Sequence, residues 1–230
     1  MAVLYIVATP IGNLEDMTYR AVRILGEVDV IASEDGSRTR KLLSRYSIPA
    51  RTLISCQANN EEASSRGIVK LLHEGRNVAY LTAAGTPGIS DPGGRLVSAV
   101  RGAGFLVVPL PGPSTVTAMM SVAGAAGKGF IFEGFLSPKN ARQRSRLEEL
   151  IESRMIFMLF ESPHRIRKLL ESLKILAPDR EILIGREITK KFEEFLSGSA
   201  AEVLSILSTR IRLQGEFVVL VGSKGKTGLS

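Results

Sequence analysis

The sequence predicts an α/β protein of two domains, in which strands and helices alternate along the chain. Short apolar, β-branched runs alternate with stretches whose apolar residues recur at helical spacing over most of the 230 residues. Glycine- and proline-rich turns follow several of the strands, and a proline-rich segment at 109–113 interrupts the alternation near the middle. The strand–turn–helix repeats predict a mostly parallel sheet in the first half of the chain.

The first domain is predicted to span residues 1–113. Its helices are identified by apolar spacing, as at Ile68, Leu71 and Leu72, and its strands by runs such as Val78 to Leu81. The predicted order is strand 3–8, helix 18–26, strand 28–32, a basic helix that ends before Pro49, strand 52–55, helix 61–74, strand 78–81, a helix from 95 to 103 and strand 105–109.

The second domain is predicted to span residues 114–222. Because a proline-rich segment is stiff and cannot continue a sheet or a helix, 109–113 marks the boundary, and Ser114 then caps a new helix. The predicted order is helix 114–125, strand 130–134, helix 141–152, strand 155–160, helix 163–176, strand 181–185, strand 192–196, helix 200–209 and strand 217–221. A flexible tail rich in Gly, Lys and Ser is predicted at 223–230.

Composition narrows the functional classes. The net charge of +7 favours an anionic partner, with 12 basic and 10 acidic residues before Pro113 and 18 and 13 after it.

The single cysteine, Cys56, excludes an intrachain disulfide and leaves no cysteine cluster for a metal, so a cytoplasmic location and no metal site are expected. Cys56 itself is interpreted as a small apolar filler. The uncharged run 102–127 is broken by prolines and glycines, so no membrane span is expected.

Three loops rich in glycine or proline follow predicted strands, at 9–14, 84–94 and 111–115. In an α/β sheet, ligands bind at such strand ends. None of the loops has the Walker spacing or the G-x-G-x-x-G spacing, which disfavours an ATP or nicotinamide site. The loops suit a ligand held by main-chain groups, with ordinary tight turns as the alternative.

Six segments, which occur in order over nearly the whole chain, carry a resemblance to a known family: 4–16, 84–93, 111–114, 132–136, 161–165 and 187–194. On these segments the chain resembles the ribosomal RNA small subunit methyltransferase I family, within the tetrapyrrole methylase superfamily. It implies a tetrapyrrole methylase-like fold of two α/β domains with S-adenosylmethionine in the cleft between them. It also implies a homodimer that methylates a cytidine ribose 2′-OH in 16S ribosomal RNA or the small ribosomal subunit.

The resemblance also implies which residues contact the cofactor. They follow the strands of both predicted domains: Pro10, Ala84, Gly85, Thr86, Ile89, Ser114, Thr115, Glu161 and Ile188. The chain departs from the pattern of that family at three places, where Ala83 replaces an aspartate, Gly36 and Ser37 replace Thr and Arg, and 55–60 lacks histidine.

Transfer of an activated methyl group requires the chain to align the 2′-oxygen and help remove its proton. Polar residues near the predicted loops supply the candidates, Glu34, Asp35 and Lys191. Capping of the following helix is an equal alternative for Glu34 and Asp35, and a solvated charge is the alternative for Lys191.

RNA phosphates are expected to contact a basic segment at the start of helix 141–152, through Arg142, Arg144 and Arg146. A solvated helix face, with pairing of Arg144 and Arg146 to Glu148 and Glu149, is the alternative. Arg38 and Arg40 are a second candidate RNA surface, and Arg165 a third contact.

Two other functions fit the same sequence. One is methylation of a precorrin or another tetrapyrrole, whose acidic groups would also suit a basic surface. The other is a non-catalytic RNA-binding relative that keeps the cofactor loops.

Overall fold

The computed structural model describes residues 2–49, 51–124 and 129–223. The chain divides into two compact units, Met1–Ser114 and Thr115–Ser230. Each unit has its own sheet and its own apolar core. Nothing is described of 224–230, so the predicted flexible tail lies almost wholly outside the described residues.

The first unit alternates strand and helix, as predicted. Its elements are β1 Val3–Val7, the short 3₁₀ helix Leu14–Asp16, α1 Tyr19–Glu27, β2 Val30–Ser33, α2 Gly36–Arg45, β3 Thr52–Ser55, α3 Glu61–His73, β4 Val78–Leu81, α4 Gly94–Gly102 and β5 Leu106–Leu110. The strands lie in the order β3-β2-β4-β1-β5, and every pair is parallel. The predicted parallel sheet is therefore confirmed.

Both faces of this sheet are buried, because alternate residues of each strand point to opposite sides. Ala79 and Leu81 pack with α1 and α2 on one face. Val78 and Tyr80 pack with α3 and α4 on the other face, where Cys56 is also buried. Burial raises the pKa of the Cys56 thiol to about 11, which agrees with its interpretation as an apolar filler.

The second unit has a mixed sheet. Its elements are α5 Thr115–Val122, β6 Phe130–Phe135, α6 Asn140–Glu152, β7 Ile156–Glu161, α7 Ile166–Leu176, β8 Glu181–Arg186, β9 Glu194–Ser199, α8 Ala200–Ser208 and β10 Phe217–Val221. The order is β6-β7-β10-β8-β9, in which only β6 and β7 are parallel. All five residues of β10, the central strand, are buried.

A buried arginine closes one end of this second sheet. Arg180 is 3% exposed, and its guanidinium donates to the carbonyl oxygens of Ile151, Met155 and Gly222. These carbonyls come from the end of α6, the start of β7 and the residue after β10, so one side chain joins three segments. Burial lowers the pKa of Arg180 from its usual value.

Two expectations about local structure are wrong in part. Pro109 lies in β5 and pairs with Ile6, as the strand predicted at 105–109 requires, but the strand continues to Leu110, so the proline-rich segment does not end the sheet at its first residue. Proline is tolerated there because β5 is an edge strand that needs no second partner. The strand expected at 192–196 begins at Glu194, because 187–193 forms a turn that holds Phe192 at the surface.

The longer helices are otherwise close to their predicted bounds. Helix α5 ends at Val122, and Ala125 lies outside the described residues. Within the described ranges, no helix is long and apolar enough to cross a bilayer.

Glu61 fixes the start of α4. This residue begins α3, is only 7% exposed, and its Oε1 accepts main-chain N–H groups from Gly93, Arg95 and Leu96 at 2.9, 2.9 and 3.2 Å. The first N–H groups of a helix lack partners within the helix, so a carboxylate there supplies both acceptors and favourable charge. Glu61 therefore holds the end of the 84–94 loop from a different helix.

We predict that Glu61→Ala destabilises the protein strongly. Each buried N–H that loses its acceptor costs about 1 to 3 kcal/mol, so three of them should cost about 3 kcal/mol or more. For a chain of this size that is a fall in melting midpoint of roughly 6–12 °C. The matched control is Glu62→Ala, which removes an exposed carboxylate from the same helix and should move the midpoint by less than about 2 °C. Equal shifts in the two variants would contradict the role given to Glu61.

Candidate functional site

The first two predicted loops are joined by main-chain hydrogen bonds. The N–H of Thr9 donates to the carbonyl of Gly85, and the N–H of Gly85 donates to the carbonyl of Thr9, both at 2.9 Å. The hydroxyl of Thr82 also lies 3.4 Å from the Gly85 carbonyl oxygen. The parallel pairing of β1 with β4 brings the two loops to the same edge of the sheet.

The third loop meets the other two. The hydroxyl of Thr86 donates to the carbonyl of Pro113 at 3.0 Å. A side chain on Gly112 would lie 3.0 Å from the Cβ of Ala8, so glycine permits the close approach of these backbones. The three loops singled out in the sequence thus converge within the first unit.

The 84–94 loop has an unusual backbone. Gly85, Gly88, Ser90 and Gly93 all have φ between 60° and 125°. A Cβ on Gly93 would also lie 2.9 Å from the ring of Tyr80. Because left-handed backbone is costly for residues with a side chain, the glycines allow the loop to fold back on itself.

The structure places the predicted cofactor residues of the first unit along these loops. Pro10, Ala84 and Thr86 are half-buried, Gly85 is buried and Ile89 is 37% exposed. Ser114, in the third loop, ends the unit, and Thr115 begins α5 of the second unit. The residues of the first unit in this set are thus half-buried or buried, apart from the exposed apolar side chain of Ile89.

A polar pocket lies at the carboxyl ends of β2, β3 and β4. It is open to solvent and encloses about 600 Å³. The residues that line it come from the ends of three neighbouring strands: Glu34, Asp35, Gly36, Arg38, Gln57, Ala58, Asn59 and Ala83. All three places where the chain departs from the expected family pattern contribute to this pocket.

Glu34 and Asp35, two of the predicted catalytic residues, have different environments there. Oε2 of Glu34 accepts the N–H of Ala83 at 2.8 Å. Oδ1 of Asp35 caps α2 by accepting the N–H groups of Ser37 and Arg38 at 2.9 and 3.0 Å. These hydrogen bonds, that from Arg38 first, lower the pKa of Asp35. The capping interpretation is therefore correct for Asp35, whereas Glu34 bonds to another strand end.

Sequence reasoning missed Gln57 and Asn59. They follow β3, an edge strand whose end lies beside the end of β2. The amide of Gln57 donates to the carbonyl of Glu34 at 3.0 Å. The available signal was the position of both residues directly after a strand, at the same edge as the three glycine-rich loops.

In the second unit, Glu161 ends β7 with a fully buried side chain. Its Oε1 is 2.8 Å from the guanidinium of Arg165 and accepts the N–H of Ser162 at 2.8 Å. Its Oε2 has no hydrogen-bond partner among the described residues. Arg165, a predicted RNA contact, is thus engaged by a buried carboxylate that retains one free oxygen.

The segment 187–193 contains one predicted cofactor contact, Ile188, and one predicted catalytic residue, Lys191. Ile188 is buried, next to Gly185. Lys191 is exposed, with its Nζ 5.6 Å from the centre of the Phe192 ring. Two residues without glycine's freedom, Glu187 and Thr189, have left-handed φ values of 52° and 66°, and such backbone strain is often found at functional sites.

The basic helix α6 is partly neutralised by its own neighbours. Arg144 pairs with Glu148 at 2.9 Å, and Arg146 pairs with Glu133 at 2.7 Å and Glu149 at 2.6 Å. The hydrogen bonds from Glu133 and then Glu149 raise the pKa of Arg146. Arg142 is exposed and has no carboxylate partner in the described part of the chain.

The second candidate RNA surface, Arg38 and Arg40, also combines a paired and an unpaired position among the described residues. Arg38 lies 3.5 Å from Oδ2 of Asp35 and lines the polar pocket, whereas Arg40 is exposed on α2.

Comparison with solved structures identifies the fold. A cobalt precorrin-4 methyltransferase of cobalamin biosynthesis superposes with a TM-score of 0.71 at 16% sequence identity, covering 96% of this chain and 94% of the other. At that identity the likeness concerns the fold alone.

Comparison of sequences identifies the family. The model of the Tetrapyrrole (Corrin/Porphyrin) Methylases matches residues 3–204. A protein of Borrelia garinii subsp. bavariensis named Ribosomal RNA small subunit methyltransferase I is 45% identical over 219 residues, which is 95% of this chain and 97% of that protein. A protein of the same name from Neisseria meningitidis serogroup B is 43% identical over 219 residues, 95% of this chain and 75% of that one. The chain therefore belongs to the ribosomal RNA small subunit methyltransferase I family of the tetrapyrrole methylases.

Proposed function

We propose that the protein transfers a methyl group from S-adenosylmethionine to the ribose 2′-OH of a cytidine in 16S ribosomal RNA. The observation that carries the proposal is a sequence identity of 43–45%, over 95% of the chain, to relatives named Ribosomal RNA small subunit methyltransferase I. Conversely, identity to the tetrapyrrole enzyme is only 16%, so the tetrapyrrole alternative has support from the fold alone.

The residues present fit the cofactor. The joined loops have little side-chain bulk at Ala84 and Gly85, which suits a ligand that approaches main chain, although the N–H and C=O of Gly85 itself are engaged by Thr9. In the second unit, Oε2 of Glu161 is a buried acceptor that lacks a donor among the described residues, and a ribose hydroxyl or an amino group would supply one. Pro10, Thr86, Ile89, Ser114, Thr115 and Ile188 complete the proposed contacts.

When bound, the cofactor supplies a sulfonium-activated methyl group that is already electrophilic. The chain has then to hold the ribose so that its 2′-oxygen lies in line with the methyl group, and to accept the proton that leaves the hydroxyl. Glu34, Asp35 and Lys191 are proposed for these roles. A lowered pKa weakens Asp35 as a proton acceptor, so Asp35 is better suited to orienting α2 and the pocket.

Two further statements belong to the proposal. The family resemblance supports a homodimer. On α5, Met119 is fully buried, against Gly185, whereas Met120 is half-buried and Val122 is 54% exposed. A cytoplasmic location is proposed because the substrate is ribosomal RNA and the single cysteine is a free thiol.

Methyl transfer to ribosomes tests the function directly. Small ribosomal subunits from a strain that lacks this protein should accept label from tritiated S-adenosylmethionine, at a single cytidine and on its ribose. The control is subunits from the unmodified strain, which should accept little because the site is already methylated. Labelling of a precorrin but not of the subunits would support the tetrapyrrole function, and labelling of neither would support the non-catalytic function.

We predict that Gly85→Ala weakens S-adenosylmethionine binding by about tenfold or more. Gly85 has φ = +76°, and its new Cβ would lie 3.3 Å from the Ile11 side chain and 3.9 Å from the carbonyl of Pro113, so Ile11 in the first loop must be displaced by a few tenths of an ångström. Calorimetry measures the change. The control is Gly104→Ala, which has nearly the same φ of +81° but open space around it, and should bind the cofactor as the unmodified protein does. Similar losses in both variants would attribute the effect to general backbone strain.

We predict that Arg142→Gln reduces the salt dependence of RNA binding. One phosphate contact contributes about −0.7 to the slope of log affinity against log salt concentration for single strands, so the slope should become less steep by roughly that amount. Arg146→Gln should change the slope less, because Glu133 and Glu149 already engage its guanidinium. Arg66→Gln, on α3, controls for the loss of one exposed positive charge. An unchanged slope for Arg142→Gln would direct the search to Arg38 and Arg40.

A further inference from the structure

Glu34 is held rigidly at the edge of the polar pocket. Its N–H donates to the carbonyl of Leu81 at 3.0 Å, its carbonyl accepts from the amide of Gln57 at 3.0 Å, and its Oε2 accepts from the N–H of Ala83 at 2.8 Å. These contacts fix both the backbone and one carboxylate oxygen. Oε1 accepts no hydrogen bond from any described residue. The pocket therefore contains a positioned, half-buried carboxylate oxygen that no described residue engages.

The remaining pocket residues suit a nucleotide. The volume of about 600 Å³ lies within the range of small-molecule sites, and the opening to solvent admits a base from an extended strand. Arg38 adds a positive charge, while Gln57 and Asn59 add amides. Unpaired bases of RNA are commonly recognised by hydrogen bonds to their Watson–Crick edge, after the base has left its stack.

We propose that this pocket receives the base of the nucleotide to be methylated, and that Oε1 of Glu34 accepts a hydrogen bond from the exocyclic amino group of cytosine. Glu34 is then a residue that holds the nucleotide and distinguishes cytidine from uridine, which leaves acceptance of the 2′-OH proton to another group. The inference rests on the proposed function, because it takes a cytidine of ribosomal RNA as the substrate.

The chemistry of the two pyrimidines makes the distinction. Cytosine presents an amino donor at the position where uracil presents a carbonyl acceptor. A carboxylate oxygen accepts from the first and repels the second. With uridine, this hydrogen bond is lost and two acceptors face each other. Methylation of cytidine should therefore be favoured over that of uridine by about tenfold or more.

The contact with Ala83 determines what Glu34→Gln should do. The N–H of Ala83 needs an acceptor, so the amide of the variant should place its carbonyl oxygen there and turn its NH₂ group toward the pocket. The pocket would then offer a donor at the position of Oε1. A donor favours the carbonyl of uracil over the amino group of cytosine, and the preference should reverse.

The experiment compares two substrates with two variants. The labelled nucleotide is first mapped with the unmodified protein, and small subunits are then prepared with cytidine or uridine at that position. The unmodified protein should methylate the cytidine subunits at least about tenfold faster. Glu34→Gln should reduce this ratio to about one or below. The control Glu62→Gln removes the same carboxylate charge from an exposed position and should keep the original ratio.

A second measurement covers a variant that folds but transfers no methyl group. Two short RNA fragments that differ only in cytidine or uridine are bound in the presence of S-adenosylhomocysteine, and the ratio of their dissociation constants replaces the ratio of rates. Circular dichroism establishes that the variant is folded.

The outcomes separate this inference from the proposed function. If the unmodified protein labels no subunit, the proposed function fails. If it labels cytidine selectively and Glu34→Gln slows both substrates equally, with an unchanged ratio of rates and of dissociation constants, the inference is overturned. In that case Glu34 acts on the reaction or on the structure of the pocket, and not on the identity of the base.

Discussion

The reciprocal hydrogen bonds between Thr9 and Gly85 are the constraint on which the candidate site depends. They join the loop after β1 to the loop after β4, and the Thr86 hydroxyl extends the connection to Pro113. At the far end of the second loop, Glu61 fixes Gly93 and the start of α4. Without these contacts, a glycine-rich loop would lose much conformational entropy on adopting one conformation. Because both ends are fastened by main-chain contacts, its backbone can present ligand-binding groups in one arrangement.

Much of the fold could be predicted because the local signals agree with the tertiary structure. Strands β3, β4 and β10 have the expected bounds, since each is an apolar run between clear turn residues. The strand at 105–109 was predicted, but its continuation to Leu110 was not, because the effect of proline depends on whether its strand lies at the edge of a sheet. The antiparallel pairing of β10 with β7 and β8 could not be predicted either, because strand direction depends on contacts distant in sequence.

The candidate site was predictable in part. The glycine-rich loops were found because their composition is distinctive, and parallel strands bring their ends together. The pocket residues Gln57 and Asn59 were missed because amides after a strand are ordinary turn residues until the neighbouring strand end is known. The arginines of α6 show the reverse problem. Their charges are visible in the sequence, but the carboxylate of Glu133 that engages Arg146 is contributed by β6 and is revealed only by the fold.

The central position of β10 has a consequence for biosynthesis. In the first unit, all five strands are complete once the chain has been made to Leu110, so that sheet can form while later residues are still being added. In the second unit, β7 and β8 each lie beside β10, and they lack this neighbour until Val221 has left the ribosome. The edges that face β10 stay unpaired while the residues between these strands and Val221 are added. The first unit can thus fold early on the ribosome, whose RNA is the proposed substrate, whereas the sheet of the second unit is completed only when β10 has been made.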